Sequence, residues 1–144
     1  MKQNVLITVT GLLYMGKGDR EEDYVDIILP GKYYRRGERH FLLFEEQVEG
    51  SSLPVKTRMT LEPGRAEMKR SGFVNTDMVF LPKQGTQTWY MTPFGEIEMD
   101  IYTTQITITE KEDELRADIR YRLTLGGEEM DCFVKVLAQS RGTA

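Results

Sequence analysis

The sequence predicts an all-β fold, a single closed or nearly closed antiparallel β-barrel of about eight to ten strands. Three observations lead to this prediction. Apolar residues alternate with polar ones along most of the chain, turn residues separate these segments about every dozen residues, and no segment has a convincing helical period. A chain of 144 residues that is 40% hydrophobic suits one domain over residues 1–144 with one core.

Four strands are predicted in the N-terminal part of the chain. A charged loop at residues 16–22 separates the first from the second, which we expect to end near Pro30 and Gly31. The third strand, residues 40–46, is too apolar for one inward face to be assigned. The other inward faces are Val5, Ile7 and Val9 in the first strand, Val25, Ile27 and Leu29 in the second, and Val55, Thr57, Met59 and Leu61 in the fourth.

Shorter strands occupy the middle of the chain. Pro63 and Gly64 fit the two central positions of a type II turn, which reverses the chain after the fourth strand. The predicted strands cover residues 66–70, 78–80 and 88–91, and their turns lie at residues 62–65, 82–85 and 93–95.

The alternation changes phase once, between residues 96 and 109. Ile97, Met99 and Ile101 are odd-numbered, whereas Ile106 and Ile108 are even-numbered. A strand can change phase in this way only with a bulge, a bend or a break, here across residues 102–105. A bent strand is typical of a barrel corner and therefore favours a closed sheet.

The C-terminal third predicts a long antiparallel hairpin. Gly126 and Gly127 tolerate positive φ and suit the tight turn between its strands. The inward positions are Leu115, Ala117, Ile119, Tyr121, Leu123 and Leu125, followed by Met130, Cys132, Val134, Val136 and Ala138. A barrel of this size has an interior that side chains fill or that holds one small ligand.

The composition excludes most catalytic chemistry. One Cys and one His permit neither an intrachain disulfide nor a zinc site built from Cys and His alone, and no nucleophile elbow, dinucleotide or phosphate-loop motif occurs. We expect Cys132 to be a core thiol and His40 to be exposed or at the barrel rim. The carboxylates at residues 96, 98 and 100 are interpreted as a solvated strand face rather than a cation site. We therefore expect no enzyme, no catalytic residue, no metal and no cofactor.

Charge is unevenly distributed along the chain. The net charge is −4, but residues 32–70 carry +3 and residues 96–131 carry −7. Charged strand faces that keep the protein soluble are the simplest explanation, and self-association of the two faces, giving a homodimer, is the alternative. The acidic balance argues against a nucleic-acid partner. No signal-peptide pattern and no apolar run near the ~20 residues of a membrane span occur, so we expect a cytoplasmic protein without a membrane partner.

Arg70 is the most informative candidate site residue. It shares its strand face with Ala66 and Met68, which predicts that its guanidinium points into the barrel. A buried guanidinium needs an anionic or carbonyl partner. That partner is either the carboxylate or phosphate group of a ligand or an internal Glu or Tyr, unless the strand has already reached the rim at Arg70.

Several tracts resemble one protein family. They are Met68-Lys69-Arg70-Ser71-Gly72, Met78-Val79-Phe80, Trp89-Tyr90-Met91-Thr92-Pro93-Phe94-Gly95-Glu96, Ile101-Tyr102-Thr103 and Leu29-Pro30-Gly31-Lys32-Tyr33-Tyr34. Over nearly the whole chain the sequence resembles the YwiB-type proteins, small bacterial proteins common in Firmicutes. The resemblance implies a calycin-like, or lipocalin-like, β-barrel in the cytosol and no activity, because the family is classed as a domain of unknown function. Lipocalins carry apolar ligands, but that analogy rests on fold alone.

The leading functional hypothesis is non-enzymatic binding of a small, partly apolar ligand inside the barrel. Arg70 meets the acidic group of this ligand, and Tyr90, Trp89, Met68 and Phe80 line the cavity. Because both faces of residues 88–92 are semi-apolar, the pattern does not decide whether Tyr90 or Trp89 points inward. The alternative is a structural or interaction protein whose barrel is filled and whose surface binds another protein or a second copy.

Overall fold

Ten strands form one antiparallel sheet in the computed structural model, which describes residues 1–11 and 26–141. The predicted charged loop at residues 16–22 and Val25 lie outside these described residues. The strands are β1 (Asn4–Thr10), β2 (Asp26–Arg36), β3 (Arg39–Glu46), β4 (Val55–Glu62), β5 (Arg65–Gly72), β6 (Thr76–Phe80), β7 (Gly85–Thr92), β8 (Gly95–Lys111), β9 (Glu114–Leu125) and β10 (Glu128–Ser140).

The sheet is a nearly closed barrel, as predicted. Its strand order is β6-β5-β4-β3-β2-β1-β10-β9-β8-β7, so β1 pairs with both β2 and β10. The two end strands meet where Asn75 and Met91 exchange backbone hydrogen bonds of 2.9 Å. Towards the other end of these strands, the Thr86 hydroxyl donates a 2.6 Å hydrogen bond to the carbonyl oxygen of Val79. These contacts bring the two end strands of the sheet together.

The second strand continues well beyond its predicted end. β2 runs through Pro30 and Gly31 to Arg36, because it pairs with β1 from Asp26 to Lys32 and with β3 from Gly31 onward. Gly31 faces inward where the backbones crowd together. A Cβ built on Gly31 would lie 2.3 Å from Ile7 Cδ1 and 2.7 Å from the carbonyl oxygen of Leu43, so only glycine fits there.

The phase change and the C-terminal turn are confirmed. The β8–β9 register shifts between Thr103 and Gln105, so β8 carries a bulge inside the predicted interval. Gly126 and Gly127 both have positive φ values, 59° and 85°, as a two-residue hairpin turn requires.

Side chains fill the middle of the barrel. Met59, Met68, Met78 and Phe80 from β4, β5 and β6 belong to the same buried cluster as residues of β8 and β9, and the ring centroids of Phe80 and Tyr121 lie 5.1 Å apart. The largest fully buried side chains are Phe80, Ile7, Leu42, Met59, Leu61, Met68, Met78, Met99, Ile101, Leu115, Ile119 and Leu123. These buried side chains form one continuous apolar core inside the barrel.

Candidate functional site

Arg70 points into the barrel, as its position in the alternation predicts. It is only 7% exposed and lies near the end of the barrel where β3 ends and β4 begins. Its Nη2 lies 3.3 Å from Oε1 of Glu46, the last residue of β3. The internal glutamate is thus the anionic partner of the guanidinium, one of the alternatives that the sequence left open.

A row of buried polar groups flanks Arg70. In the sheet register Thr57 lies on one side of Arg70 and Thr76 on the other. Arg70 Nε and the two threonine hydroxyls are buried and have no hydrogen-bond partner among the described residues. Since buried polar groups in native proteins are hydrogen-bonded, this row fits a small oxygen-bearing molecule such as water.

The structure separates the other predicted lining residues. Tyr90 is half-buried against the core, and the bridge at Asn75 places it next to Thr76, in line with Arg70. Met68 and Phe80 are fully buried, but they are part of the apolar core rather than the wall of a cavity. Trp89 faces outward and is 49% exposed, so its predicted place in the lining is wrong. The reason is strand alternation, since Trp89 and Tyr90 are neighbours and only one of them faces inward.

His40 lies at the opposite end of the barrel, so its expected place at the rim is confirmed, but it is buried rather than exposed. His40 Nδ1 and the Tyr33 hydroxyl share a 2.8 Å hydrogen bond. Burial lowers the pKa of His40, although Glu110 opposes this change. A cavity of about 360 Å³ borders His40 and includes the exposed ion pair between Arg35 and Glu110. The hydrogen bond with Tyr33 makes His40 a structural part of this barrel end.

Cys132 is unsuited to nucleophilic chemistry. Its side chain lies on the inward face, partly buried against the core, in agreement with the predicted core thiol. Burial, with a contribution from Asp131, raises its pKa to about 11. The thiolate that attacks electrophiles or binds metals is therefore scarce near neutral pH. Within the described ranges no group of three or more His, Cys, Asp or Glu is arranged to hold a metal ion.

A groove on the outer face of β2–β5 is lined by several positively charged side chains. The groove has a volume of about 650 Å³. Sheet register sets Lys32, Leu43, Arg58 and Lys69 side by side across β2, β3, β4 and β5. Its cationic lining residues are Lys32, Lys56, Arg58, Lys69 and Arg141. Glu45, opposite Lys56, is the one carboxylate among the described lining residues.

The groove cations make no close ion pair with the described residues, although Asp77 lies opposite Lys69 in the sheet register and Arg58 acts to lower the pKa of Glu67. No ion pair between described residues involves Lys56, Arg58 or Lys69, and Lys32 donates a hydrogen bond to the neutral Asn4 amide. Arg58 and Lys69 lie directly opposite each other, an arrangement that costs stability in a cross-strand pair. We call this surface, formed by Pro30, Lys32, Leu43, Lys56, Arg58 and Lys69, the basic groove.

Sequence reasoning did not identify the basic groove. The feature of the sequence that points to this groove is the net charge of +3 over residues 32–70. The cations of this segment that line the groove stand at outward positions of successive strands. Lys32 and Lys69 belong to the same row only because of the register of four strands. Alternation within each strand does not determine that register.

Known proteins resemble this chain over nearly its whole length. A family model described as a domain of unknown function, DUF1934, matches residues 8–134. The uncharacterized β-barrel protein YwiB of Bacillus subtilis (strain 168) is 25% identical over 143 residues, which is 99% of each chain. The crystal structure of ywiB protein from Bacillus subtilis aligns with a TM-score of 0.79 and 23% identity, covering 98% of this chain and 93% of that one.

These similarities confirm the resemblance to YwiB-type proteins and the β-barrel fold. The names of the relatives assign no activity, ligand or partner. Among the residues that the structure describes, none forms a helix long and apolar enough to cross a membrane.

Proposed function

Because this chain belongs to the DUF1934 family, whose function is unknown, we propose its function from the geometry of its surfaces. We propose that it is a non-enzymatic, cytoplasmic binding protein. The filled barrel is a rigid scaffold, and the basic groove binds a small, partly apolar ligand through the ligand's acidic group. The ligand chemistry is the one predicted from the sequence, but the binding site lies outside the barrel.

One observation carries this proposal, namely the cluster of cations without ion-pair partners around an apolar floor. Pro30 and Leu43 offer apolar surface in the groove, and Arg58 and Lys69 stand beside them. A volume of about 650 Å³ is in the range typical of small-molecule sites. Arginine and lysine side chains form strong, charge-assisted hydrogen bonds with carboxylate, sulfonate or phosphate oxygens.

The barrel interior supports ligand binding less well. Arg70 already has a carboxylate partner in Glu46, and Met68 and Phe80 fill the space that a ligand body would need. The high pKa of the Cys132 thiol and the burial of His40 support a binding role rather than catalysis. The single unpaired cysteine also suits a reducing compartment.

The test uses anilinonaphthalene sulfonate, a fluorescent probe with an apolar body and one anionic group. Titration should give saturable fluorescence at one site, and decanoate should compete for it. The double variant Arg58→Glu/Lys69→Glu should bind the probe at least about tenfold more weakly, because repulsion replaces two charge-assisted contacts.

The matched control is Lys111→Glu, which reverses an exposed lysine at the far end of β8 and should leave probe affinity unchanged. Equal probe affinity of the wild type and the double groove variant would refute the proposed site. Native mass spectrometry of protein purified from cells provides a second readout. A co-purified acidic molecule that is lost in the double groove variant is the expected result.

A further inference from the structure

The tip of the β7–β8 hairpin exposes an unusual combination of apolar and acidic side chains. Phe94, in the turn between the two strands, is 92% exposed. Trp89 and Met91 point outward from β7 and are also exposed, and they pair across the hairpin with Glu98 and Glu96 of β8. We call Trp89, Met91, Phe94, Glu96 and Glu98 the hairpin tip.

The hairpin tip extends beyond the neighbouring strand. β9 pairs with β8 only from Met99 onward, so the stretch Gly95 to Glu98 pairs with β7 alone. On the other side, β7 is held to β6 near the tip by the bridge between Asn75 and Met91. The tip is therefore a convex projection that another molecule can reach from several sides.

The charge of the hairpin tip restricts what can cover it. Glu96 and Glu98 form no ion pair with any residue in the described part of the chain, and Glu98 accepts a hydrogen bond from the neutral Gln87 amide. Two tips facing each other would bring like charges together, which is destabilising. A symmetric tip-to-tip dimer is therefore disfavoured, and a basic surface with apolar patches is the complementary partner.

The same chain carries such a surface. The basic groove is concave, has an apolar floor at Leu43 and Pro30, and presents Arg58 and Lys69 without ion-pair partners. We propose that the hairpin tip of one copy docks in the basic groove of a second copy, with Phe94 on the apolar floor and Glu96 and Glu98 against the cations. This inference rests on the proposed function, because it assigns a protein segment of the same acidic, partly apolar chemistry to the same groove.

The geometry of this contact predicts its behaviour. Tip and groove are different surfaces, so the contact is head-to-tail, and successive copies form rings or open chains. A hairpin tip buries less than the ~1,200 Å² of a small stable interface, so the association is weak and depends on concentration. Attraction between opposite charges supplies much of the affinity, so high salt weakens the association.

Sedimentation velocity tests the inference, from about 10 µM to about 1 mM protein, in about 50 mM and about 500 mM salt. The wild type should sediment faster as its concentration rises at low salt, and this dependence should disappear at high salt. Two variants remove one surface each: Phe94→Ser/Glu96→Gln for the tip and Arg58→Glu/Lys69→Glu for the groove. Each variant alone should be monomeric, and Glu112→Lys, in the turn between β8 and β9, should associate as the wild type does.

An equimolar mixture of the tip and groove variants is the decisive sample. It retains one intact tip and one intact groove, so it should form dimers and nothing larger. A wild type that stays monomeric at about 1 mM and low salt would overturn the inference. A mixture without dimers, or a tip variant that still associates, would overturn it equally.

The probe separates failure of this inference from failure of the proposed function. The tip variant should bind anilinonaphthalene sulfonate as the wild type does, because its groove is intact. If the groove binds the probe but no variant or wild type associates, the inference fails and the proposed function stands. If the groove variant loses association but keeps its probe affinity, the small-ligand function fails and the inference stands.

Discussion

Replacing the two members of the Arg70–Glu46 pair one at a time should have opposite consequences for stability. Glu46→Gln removes the only carboxylate that pairs with Arg70 among the described residues and leaves a guanidinium that is 7% exposed without a counter-charge. Arg70→Met removes the buried charge itself, together with the unpartnered Nε atom. Glu46, at the end of β3 and more exposed, can then turn towards water.

The expected magnitudes follow from burial and distance. Breaking a fully buried ion pair costs about 3–5 kcal/mol, and the single 3.3 Å contact with a partly exposed Glu46 reduces this to about 2 kcal/mol for Glu46→Gln. Arg70→Met should lie within about 1 kcal/mol of the wild type, or be more stable, because an apolar side chain of similar size needs no buried counter-charge. The double variant should resemble Arg70→Met.

Urea denaturation measures this difference directly. With a slope of about 2 kcal/mol per molar, the midpoints of Glu46→Gln and Arg70→Met should differ by about 1 M. Arg116→Met is the control, since Arg116 pairs with Glu114 on the outer surface and its loss should cost at most about 0.5 kcal/mol. If Arg70→Met is as destabilising as Glu46→Gln, the guanidinium makes favourable interactions beyond Glu46, and the reasoning is wrong.

Three further predictions concern single residues. The lowered pKa of His40 in the folded protein means that protonation of its ring opposes folding. The free energy of unfolding should therefore be at its full value above about pH 6.5 and decline below that pH. In thermal denaturation, His40→Gln should flatten this part of the pH profile. Cys132, with a pKa of about 11, should react with a disulfide reagent at about pH 8 several hundred times more slowly than free cysteine, because little of it is thiolate. The rate should rise about tenfold per pH unit. A fast, pH-independent reaction would contradict this prediction. Gly31→Ala should lower the free energy of unfolding by about 1–3 kcal/mol, because the added Cβ meets the Leu43 carbonyl oxygen. Urea denaturation should show a smaller loss for the control Gly85→Ala, because the nearest atom to its Cβ is 3.8 Å away.

Periodicity along one strand predicted the features that depend on one strand. The inward position of Arg70, the bulge of β8 and the glycine turn before β10 all follow from alternation and local φ preferences. Alternation failed where both faces of a strand are apolar, since nothing in residues 88–92 distinguishes Trp89 from Tyr90. The burial of His40 also depends on Tyr33, a hydrogen-bond partner on the neighbouring strand.

Features that depend on several strands could not be predicted in this way. The basic groove exists because the register of β2–β5 brings together cations from distant parts of the chain. The continuation of β2 through Pro30 depends on its overlapping pairings with β1 and β3. In both cases the deciding information is the pairing between strands, which depends on the whole barrel.

The pairing of β1 with β10 has a consequence for how the protein folds. β1–β6 and β7–β10 are two meanders of sequence-adjacent strands, and such local pairings form quickly. The β1–β10 join instead brings together residues as far apart as Val5 and Ser140, so loop-closure entropy favours its late formation. On the ribosome, β1 exposes one backbone edge until β10 has been synthesised. Nascent chains halted before β10 should therefore depend on chaperones more than the full chain does.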